Sequence, residues 1–579
     1  MTMLTKWGAA LDRSCPLPEY PRPQLRRESF YNLNGVWDYA VTPSGEEPEV
    51  WDGEIVVPFS PEAPLSGAAR GPAKDEYLHY RRGFTLPEGF QKSRVLLHFG
   101  AVDQIAEVFV NGVSAAKHSG GYWPFSADIT SLLREGENIL RVTVRDNADD
   151  PTFAYGKQRY KRGGMWYTAQ SGIWQTVWLE SVPEVYVKSL RITPEFDEAR
   201  VRIELETALE SSTAITCDVR AADGSFVAGS WAKGGVCIVP LPGFRAWTPD
   251  DPYLYTLDIT CGEDRVESYF AMRKFSYVEL GGHKVFGLNN APLFHNGLLD
   301  QGYYPDGLLT PPSDEAMVND IETMKRCGFN MLRKHIKIEP LRWYYHCDRL
   351  GMIVWQDMVS GGQPYSFLHV SALPTLGKVD LPDQDAKPYG RSGVLSRARF
   401  RREMADTVRL LYNCPCIALW TVFNEGWGQF DALEMANELK KLDPTRFIDH
   451  ASGWQDQGYE EMKSRHIYFR PVKLKNDGRA LALTEYGGYI LAVDGHRWTD
   501  KVFGYRICRD SAALAHDYEK LMLGQVLPHI RKEGLTAAVY TQITDVEEEL
   551  NGLMTYDREV LKIPEETLRE INAALRFDA

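Results

Sequence analysis

Two glutamates stand at the ends of apolar runs, and residues of this type in these positions could do chemistry. Glu425 follows a run that begins at Ile417, and Glu485 follows a run that begins at Leu481. Each run is typical of a buried strand, and a glycine comes one or two positions after each acid. A carboxylate at the end of a buried strand is unfavourable unless it has a partner or a task. The two acids therefore predict an enzyme that uses a pair of carboxyl groups.

Paired carboxyl groups can hydrolyse a glycosidic bond. One protonates the leaving oxygen, and the other attacks the anomeric carbon. A separation of about 5–5.5 Å between them leads to retention through a covalent glycosyl-enzyme. The acid must stay protonated near neutral pH, which the negative charge of its neighbour favours. The alternative is that each glutamate only forms a salt bridge at the rim of the fold, and at this point it stays open.

The elements that must position these acids alternate between strands and helices from about residue 285 onward. Eight strand candidates, the first at Pro292 and its four successors, predict a (β/α)8 barrel. By this count Glu425 ends the fourth strand and Glu485 the seventh, so both would lie at the rim where such barrels carry their active sites. An open doubly wound sheet is the alternative, but no Gly-x-Gly-x-x-Gly or Walker sequence supports it.

Two β-rich regions precede the barrel, which would occupy residues 277–579. Residues 1–183 contain short alternating runs separated by Gly, Pro and Asp, with a type I′ hairpin signal at Asn111-Gly112. They predict a β-sandwich. Residues 184–276 alternate over shorter runs and predict a small immunoglobulin-like β-sandwich.

Composition limits the class of partner. The formal net charge of −14 argues against a nucleic-acid binder, and no run approaches the roughly 18–20 apolar residues of a membrane span. Nine cysteines, mostly in apolar surroundings, and an N-terminus unlike a secretory signal predict a reduced, cytoplasmic protein. We expect a glycoside or oligosaccharide partner, no nucleic acid and no membrane, and leave a homo-oligomer open.

The motifs around the two acids resemble those of a known family. Phe423-Asn-Glu-Gly and Thr484-Glu-Tyr-Gly are similar to the acid/base and nucleophile motifs of family 2 glycoside hydrolases, the β-galactosidase/β-glucuronidase family. The resemblance extends to the domain order over nearly the whole chain, and it implies that the β-sandwich of residues 1–183 is a jelly-roll domain that binds sugar. It implies that Glu425 is the general acid/base and Glu485 the nucleophile.

The resemblance and the strand count also suggest residues that bind substrate. The resemblance implies that Asn424 bonds the sugar 2-hydroxyl, that Arg333 orients the nucleophile, and that His466 and Tyr468 line the pocket. Strand-end positions suggest that further residues contact the substrate, with ordinary structural roles as the alternative: Asp300, His335, Trp427 and Gln542.

Departures from the family pattern bear on the substrate. The magnesium ligands of the large β-galactosidases have no obvious match, so we predict no metal and no cofactor. Asn551-Gly-Leu553 lacks the lysine with which glucuronidases recognise a carboxylate. We therefore predict a retaining exo-glycosidase for a terminal neutral sugar, most simply a β-galactoside. The alternatives are a β-galactofuranoside or α-L-arabinofuranoside, then a β-glucuronide, and, in a different class, a carbohydrate-binding protein without catalysis.

Overall fold

The computed structural model describes residues 3–209, 213–376 and 380–578, and it begins with a sandwich of two antiparallel sheets. The four-stranded sheet has the order Tyr31–Asn32, Val177–Val182, Arg94–Phe99, Phe125–Asp128. The six-stranded sheet has the order Gly53–Val57, Gly35–Thr42, Tyr77–Thr85, Glu137–Arg145, Ile105–Val110, Val113–Ser119. Asn111 and Gly112 have φ values of +51° and +83°, as the predicted type I′ hairpin requires.

A second, smaller sandwich follows. One sheet contains Val187–Glu195, Arg200–Thr207 and Val236–Pro240, and the other contains Phe226–Lys233, Ala214–Arg220, Tyr255–Cys261 and Asp264–Phe270. Alternate residues of these strands point inward, so that Val201, Ile203, Cys217, Val219 and Leu257 are buried in one apolar core. The alternating polar residues face outward, as expected for antiparallel strands with one solvated face.

Eight parallel strands then form a nearly closed barrel. They are His295–Asp300 (β1), Met331–Lys334 (β2), Ile353–Asp357 (β3), Ile417–Thr421 (β4), Phe447–Asp449 (β5), Met462–Ile467 (β6), Ala480–Gly487 (β7) and Leu535–Thr541 (β8). Their hydrogen-bonded order is β5-β4-β3-β2-β1-β8-β7-β6. The predicted fold class, two β-sandwich domains followed by a (β/α)8 barrel, is confirmed.

The first barrel strand begins three residues later than the predicted start at Pro292. Ala291–Pro292 instead pairs with His283–Leu288, which also pairs with Phe275–Leu280. Asn289 and Asn290 both have positive φ, which asparagine tolerates well, and so form the reversal between two of these strands. The chain therefore makes a short antiparallel sheet before it enters the barrel.

Helices cover the outside of the barrel. They are Asp314–Arg326, Leu341–Leu350, Val394–Leu411, Ala432–Leu442, Ser511–Leu521, Leu527–Glu533 and Glu565–Ala573. The side chain of Ser313 accepts a hydrogen bond from the backbone N–H of Ala316 and caps the first of them, as its sequence predicts. Short helical segments lie at Lys6–Ala9, Pro23–Leu25, Pro64–Ser66, Thr130–Leu132, Leu368–Ala372, Leu373–Thr375 and Met522–Val526. Among the described residues no helix combines the length and apolar character needed to cross a membrane.

Candidate active site

The two glutamates meet at the carboxyl-terminal rim of the barrel. Glu425 lies four residues beyond β4 with a φ of +55°, and its backbone N–H donates to the carbonyl of Ser452 at 2.9 Å. Glu485 lies within β7. One carboxylate oxygen of each glutamate and a ring nitrogen of His466 all lie within 4.8 Å of one another. The spacing is close to the separation expected of a retaining pair.

Arg333, at the end of β2, holds Glu485 in place. Its Nη1 donates to Glu485 Oε1 at 3.0 Å, and its Nη2 donates to Asn424 Oδ1 at 2.8 Å. Its Nε and Nη2 also donate to both oxygens of Asp357 at 3.0 Å. The guanidinium is fully buried, so it fixes the ends of β2, β3, β4 and β7 relative to one another.

Tyr468 and Asp357 complete the surroundings of this guanidinium. The hydroxyl of Tyr468 donates to Glu485 Oε2 and contacts Thr541 Oγ1 at 2.9 Å. Its ring stacks on that of Tyr505, with the ring centroids 3.9 Å apart. Burial tends to raise the pKa of Asp357, but the charge of Arg333 and the hydrogen bonds from His335 and Arg333 together outweigh it, so the pKa lies below its usual value. Asp357 therefore stays ionised and keeps the guanidinium oriented.

His466 lies between the two glutamates. Its Nδ1 is 2.8 Å from Glu425 Oε1, and its Nε2 is 3.6 Å from Glu485 Oε1 and 3.2 Å from Ser452 Oγ. Burial lowers the pKa of His466 to about 3, so the imidazole is neutral. Because Arg333 Nη1 approaches Nε2 at 3.5 Å and can only donate, the ring proton belongs on Nδ1, which donates to Glu425.

The surroundings of Glu425 favour the protonated form of its carboxyl group. Burial raises the pKa of its carboxyl group above the ordinary value of 4.5, and the charges of Lys157, His335 and Arg333 offset that rise only in part. Its side chain keeps 24% exposure and faces a cleft of about 600 Å³. The other residues around this cleft are mostly apolar or aromatic: Met165, Phe367, Pro374, Leu376, Trp454, Ile467, Phe469, Phe503 and Tyr505.

Two further predicted residues lie beside this network. His335 Nδ1 contacts Asp357 Oδ2 at 2.8 Å, and burial lowers the pKa of the imidazole. Trp427 packs edge to face against Trp166 of the N-terminal domain, with ring centroids 5.1 Å apart. The buried Nε1 of Trp427 has no hydrogen-bond partner among the residues that the structure describes, which leaves a donor for a ligand.

Asp300 and Gln542, by contrast, are engaged elsewhere. Asp300 Oδ2 accepts a hydrogen bond from Lys334 Nζ at 2.7 Å. The amide of Gln542 donates to Asn551 at 2.7 Å and accepts from Gln301 at 2.9 Å. Within the described chain neither side chain hydrogen-bonds to the two glutamates or to Arg333, and their proposed role in binding hydroxyls stays a prediction.

Sequence reasoning missed four residues at this site. Asp357 ends β3 and carried the same strand-end signal as Glu485, so it could have been found. Tyr505, Glu549 and Lys157 carried no such signal. Burial raises the pKa of Glu549, the charge of Lys157 opposes that rise, and Glu485 adds to it.

Two groups of side chains in the described part of the chain come close enough to hold a metal ion. The first is Glu425, His466 and Glu485, which is the paired-carboxylate site itself. The second is His496, Asp557 and Glu559. All nine cysteines are free thiols.

The fold and this site define a barrel protein with two neighbouring glutamates and a buried arginine at the rim. Three family descriptions match the chain in order: "Glycosyl hydrolases family 2, sugar binding domain" over residues 64–183, "Glycosyl hydrolases family 2" over 185–273, and "Glycosyl hydrolases family 2, TIM barrel domain" over 311–473. The chain belongs to glycosyl hydrolase family 2.

Individual relatives differ in their named activities. The chain is 25% identical to a β-galactosidase of Thermoanaerobacter pseudethanolicus over 63% of this chain and 47% of that protein. It is 22% identical to a β-glucuronidase of Paenibacillus borealis over 82% of this chain and 85% of that protein. The structure of a Bifidobacterium dentium β-glucuronidase superposes with a TM-score of 0.75 at 18% identity, covering 95% of this chain and 98% of that one, which shows the shared fold. The chain spans about half the length of the first curated relatives it matches.

Proposed function

We propose that the protein is a retaining exo-glycosidase in which Glu425 is the general acid/base and Glu485 the nucleophile. The observation that carries the proposal is the spacing of their carboxylate oxygens, within 4.8 Å. An inverting enzyme needs roughly 6.5–9.5 Å between its carboxyl groups to admit a water molecule. The observed spacing is shorter than that separation and supports direct attack by a carboxylate.

Each step has a residue in place. Glu485 attacks the anomeric carbon while the bond from that carbon to the leaving oxygen breaks, and Glu425 gives its proton to that oxygen. The now ionised Glu425 then takes a proton from water, the water oxygen attacks the anomeric carbon, and the bond to Glu485 breaks. Arg333 and Tyr468 each donate to an oxygen of Glu485, so its carboxylate is aimed before substrate arrives.

We further propose a terminal neutral sugar, with a β-galactoside as the first candidate. The loop at Asn551-Gly-Leu553 offers no lysine for a sugar carboxylate. Glu485 and Glu549 are buried acids in this region, and a uronic acid would add another negative charge. A β-glucuronide is the second candidate, because relatives and structural neighbours include β-glucuronidases.

A panel of nitrophenyl glycosides tests the substrate. It contains β-galactopyranoside, β-galactofuranoside, α-L-arabinofuranoside, β-mannoside and β-glucuronide. We expect release of nitrophenol from a neutral glycoside, and NMR of the first product should show retained anomeric configuration. An inverted product would contradict the mechanism, and preference for the glucuronide would contradict the neutral sugar.

Glu485→Gln tests the catalytic assignment. Removal of a catalytic residue from other hydrolases lowers turnover by roughly 10⁴-fold or more, and we expect a loss of this size with the fold intact by circular dichroism. Glu461→Gln is the matched control, since this glutamate lies outside the site and pairs with Lys440. Full activity of Glu485→Gln would exclude the proposed nucleophile.

A further inference from the structure

A segment of the N-terminal domain, residues 155–168, crosses the mouth of the barrel. At its beginning the backbone N–H of Gly156 donates to the carbonyl of Ser360 at 2.9 Å, and the Tyr155 hydroxyl donates to the carbonyl of Gly362 at 2.7 Å. Both acceptors lie in the loop after β3. A Cβ on Gly156 would stand 2.9 Å from the carbonyl oxygen of Ile336, so the backbone here lies directly on the loop after β2.

The far end of this mouth-crossing segment is attached to the loop after β8. Three consecutive glutamates of that loop each accept a hydrogen bond from it. The backbone N–H of Thr168 donates to Glu547 Oε1 at 2.8 Å, that of Gly164 donates to Glu548 Oε2 at 2.9 Å, and the Tyr167 hydroxyl donates to Glu549 Oε2. The segment is therefore fixed to the barrel on both sides of the site, although it belongs to another domain.

Lys157 is a charged residue that this arrangement brings beside the site, and Arg159, which lies on the same Trp166 ring, is paired with Asp149. Its Nζ lies 5.5 Å from the centroid of the Trp166 ring, which packs against Trp427 two positions after Glu425. Within residues 3–209, 213–376 and 380–578 its ammonium forms no hydrogen bond and no ion pair within 4.0 Å. Its positive charge opposes the burial-driven rise in the pKa of both Glu425 and Glu549.

We propose that Lys157 and Glu549 together recognise hydroxyl groups of the neutral terminal sugar that this site cleaves. The inference rests on the proposed function. An ammonium donates to a hydroxyl oxygen, and a carboxylate accepts from a hydroxyl hydrogen, so the pair can hold two neighbouring hydroxyl groups. Glu549 accepts from the Tyr167 hydroxyl and from the side-chain amide of Gln542, and its two oxygens keep further acceptor capacity.

The charge balance favours a neutral sugar over an acidic one. Lys157 already offsets the charge of a buried acid, Glu549, from a position across the mouth. A sugar carboxylate at the ammonium would stand beside that acid and near Glu485, so repulsion would oppose the attraction. Neutral hydroxyl groups gain both contacts without this repulsion.

The first experiment measures Lys157→Met on the nitrophenyl glycoside that the wild-type protein hydrolyses fastest. We expect kcat/KM to fall about 30- to 100-fold, as for a lost hydrogen bond to a charged group. Lys161→Met is the matched control, an exposed lysine of the same segment, and should keep wild-type kinetics. An unchanged kcat/KM in Lys157→Met, with an active wild type, would overturn the inference while leaving the proposed glycosidase intact.

The second experiment uses monodeoxy analogues of that glycoside. If Lys157 or Glu549 binds a given hydroxyl, removing the hydroxyl and substituting the residue must be non-additive, because each removes the same contact. We expect this non-additivity for one hydroxyl with Lys157→Met and for the same or the adjacent hydroxyl with Glu549→Gln. Additive losses for every analogue would show a merely structural role. A wild type that prefers the glucuronide, and loses that preference in Lys157→Met, would assign the lysine to a carboxylate instead.

Discussion

The barrel and the N-terminal sandwich each bury a cluster of carboxyl groups, and the two clusters differ in what lies beside them. In the barrel, Asp357 and Glu485 share the guanidinium of Arg333 at 3.0 Å. In the sandwich, Glu62 accepts from the backbone N–H and the hydroxyl of Ser171, and Asp103 accepts from Gln158. Asp146, which adjoins them, has no hydrogen-bond partner for either oxygen among the described residues.

This difference shows how burial and charge set the protonation of an acid. Burial raises the pKa of Glu62 and of Asp103 to about 7, and that of Asp146 also rises, since no cation forms an ion pair with them in the described chain. Beside Arg333 the pKa of Asp357 falls instead. Glu425 belongs to the barrel, but burial raises its pKa as it does for the sandwich acids, and the imidazole of His466 beside it is neutral. One site thus holds Asp357, whose pKa lies below the ordinary value, and Glu425, whose pKa lies above it.

Removal of Arg333 should have the largest effect, because it would leave the barrel acids without a cation, like those of the sandwich. Arg333→Met leaves Asp357 and Glu485 buried without their cation, and breaking a buried pair costs about 3–5 kcal/mol. We expect a fall of this size in the free energy of unfolding, together with loss of turnover. Chemical denaturation at pH 7 measures it.

Arg401→Met is the control for that substitution. Arg401 pairs with Glu434 and Glu438 on the surface, where its side chain is 35% exposed. Exposed pairs contribute about 0–1 kcal/mol. If both variants lost the same stability, the guanidinium at the barrel rim would not compensate the buried acids.

The proton on Glu425 gives a second test, through the pH dependence of activity. In the proposed mechanism the protonated form of Glu425 is the acid, so kcat/KM should fall as pH rises through its raised pKa. Glu425→Gln has no proton to lose. With a dinitrophenyl glycoside, whose leaving group needs no acid, we expect that variant to lack the fall at high pH. On poor leaving groups it should lose roughly 10²–10⁴-fold.

A control separates Glu425 from other titrating groups. Glu434→Gln, on the outer helix Ala432–Leu442, should retain the wild-type pH profile. Persistence of the high-pH fall in Glu425→Gln would assign that fall to another group. It would also mean that burial does not raise the pKa of Glu425 as it raises those of the sandwich acids.

Much of the site follows from the sequence because strand ends are local features. The apolar runs at Ile417 and Leu481 predict strands, and parallel strands of one barrel bring their carboxyl ends to one rim. That rule alone places Glu425, Glu485 and Arg333 together. It does not determine the partner of a polar side chain at the rim, and Asp300 binds Lys334 in register with it on β2.

Contacts between domains leave no local signal. Lys157 lies in an irregular stretch of the N-terminal sandwich, and nothing in the neighbouring sequence indicates that this stretch packs against the loop after β8. From the sequence alone, Glu547, Glu548 and Glu549 predict only a charged turn on the surface. The structure shows that each of them accepts a hydrogen bond from the mouth-crossing segment of the N-terminal domain.

Substitution of a sandwich acid should have the smallest effect. It tests directly whether these acids are buried without a compensating charge. A raised folded pKa means that the folded protein binds the proton of Glu62 more tightly than the unfolded chain does. The free energy of unfolding must therefore fall as pH rises from 4.5 through about 7. The contribution of Glu62 is on the order of 3 kcal/mol at full ionisation.

Glu62→Gln removes that contribution without disturbing the contacts. The amide oxygen can accept from the backbone N–H of Ser171, and the amide N–H can donate to its hydroxyl. We expect this variant to be more stable than the wild type at pH 8 and about equal to it or less stable at pH 5, by urea denaturation. Glu54→Gln, an exposed residue on the neighbouring strand, should show no such crossover. If Glu62→Gln lost stability equally at both pH values, the carboxylate would be compensated after all, and the sandwich cluster would resemble the one around Arg333.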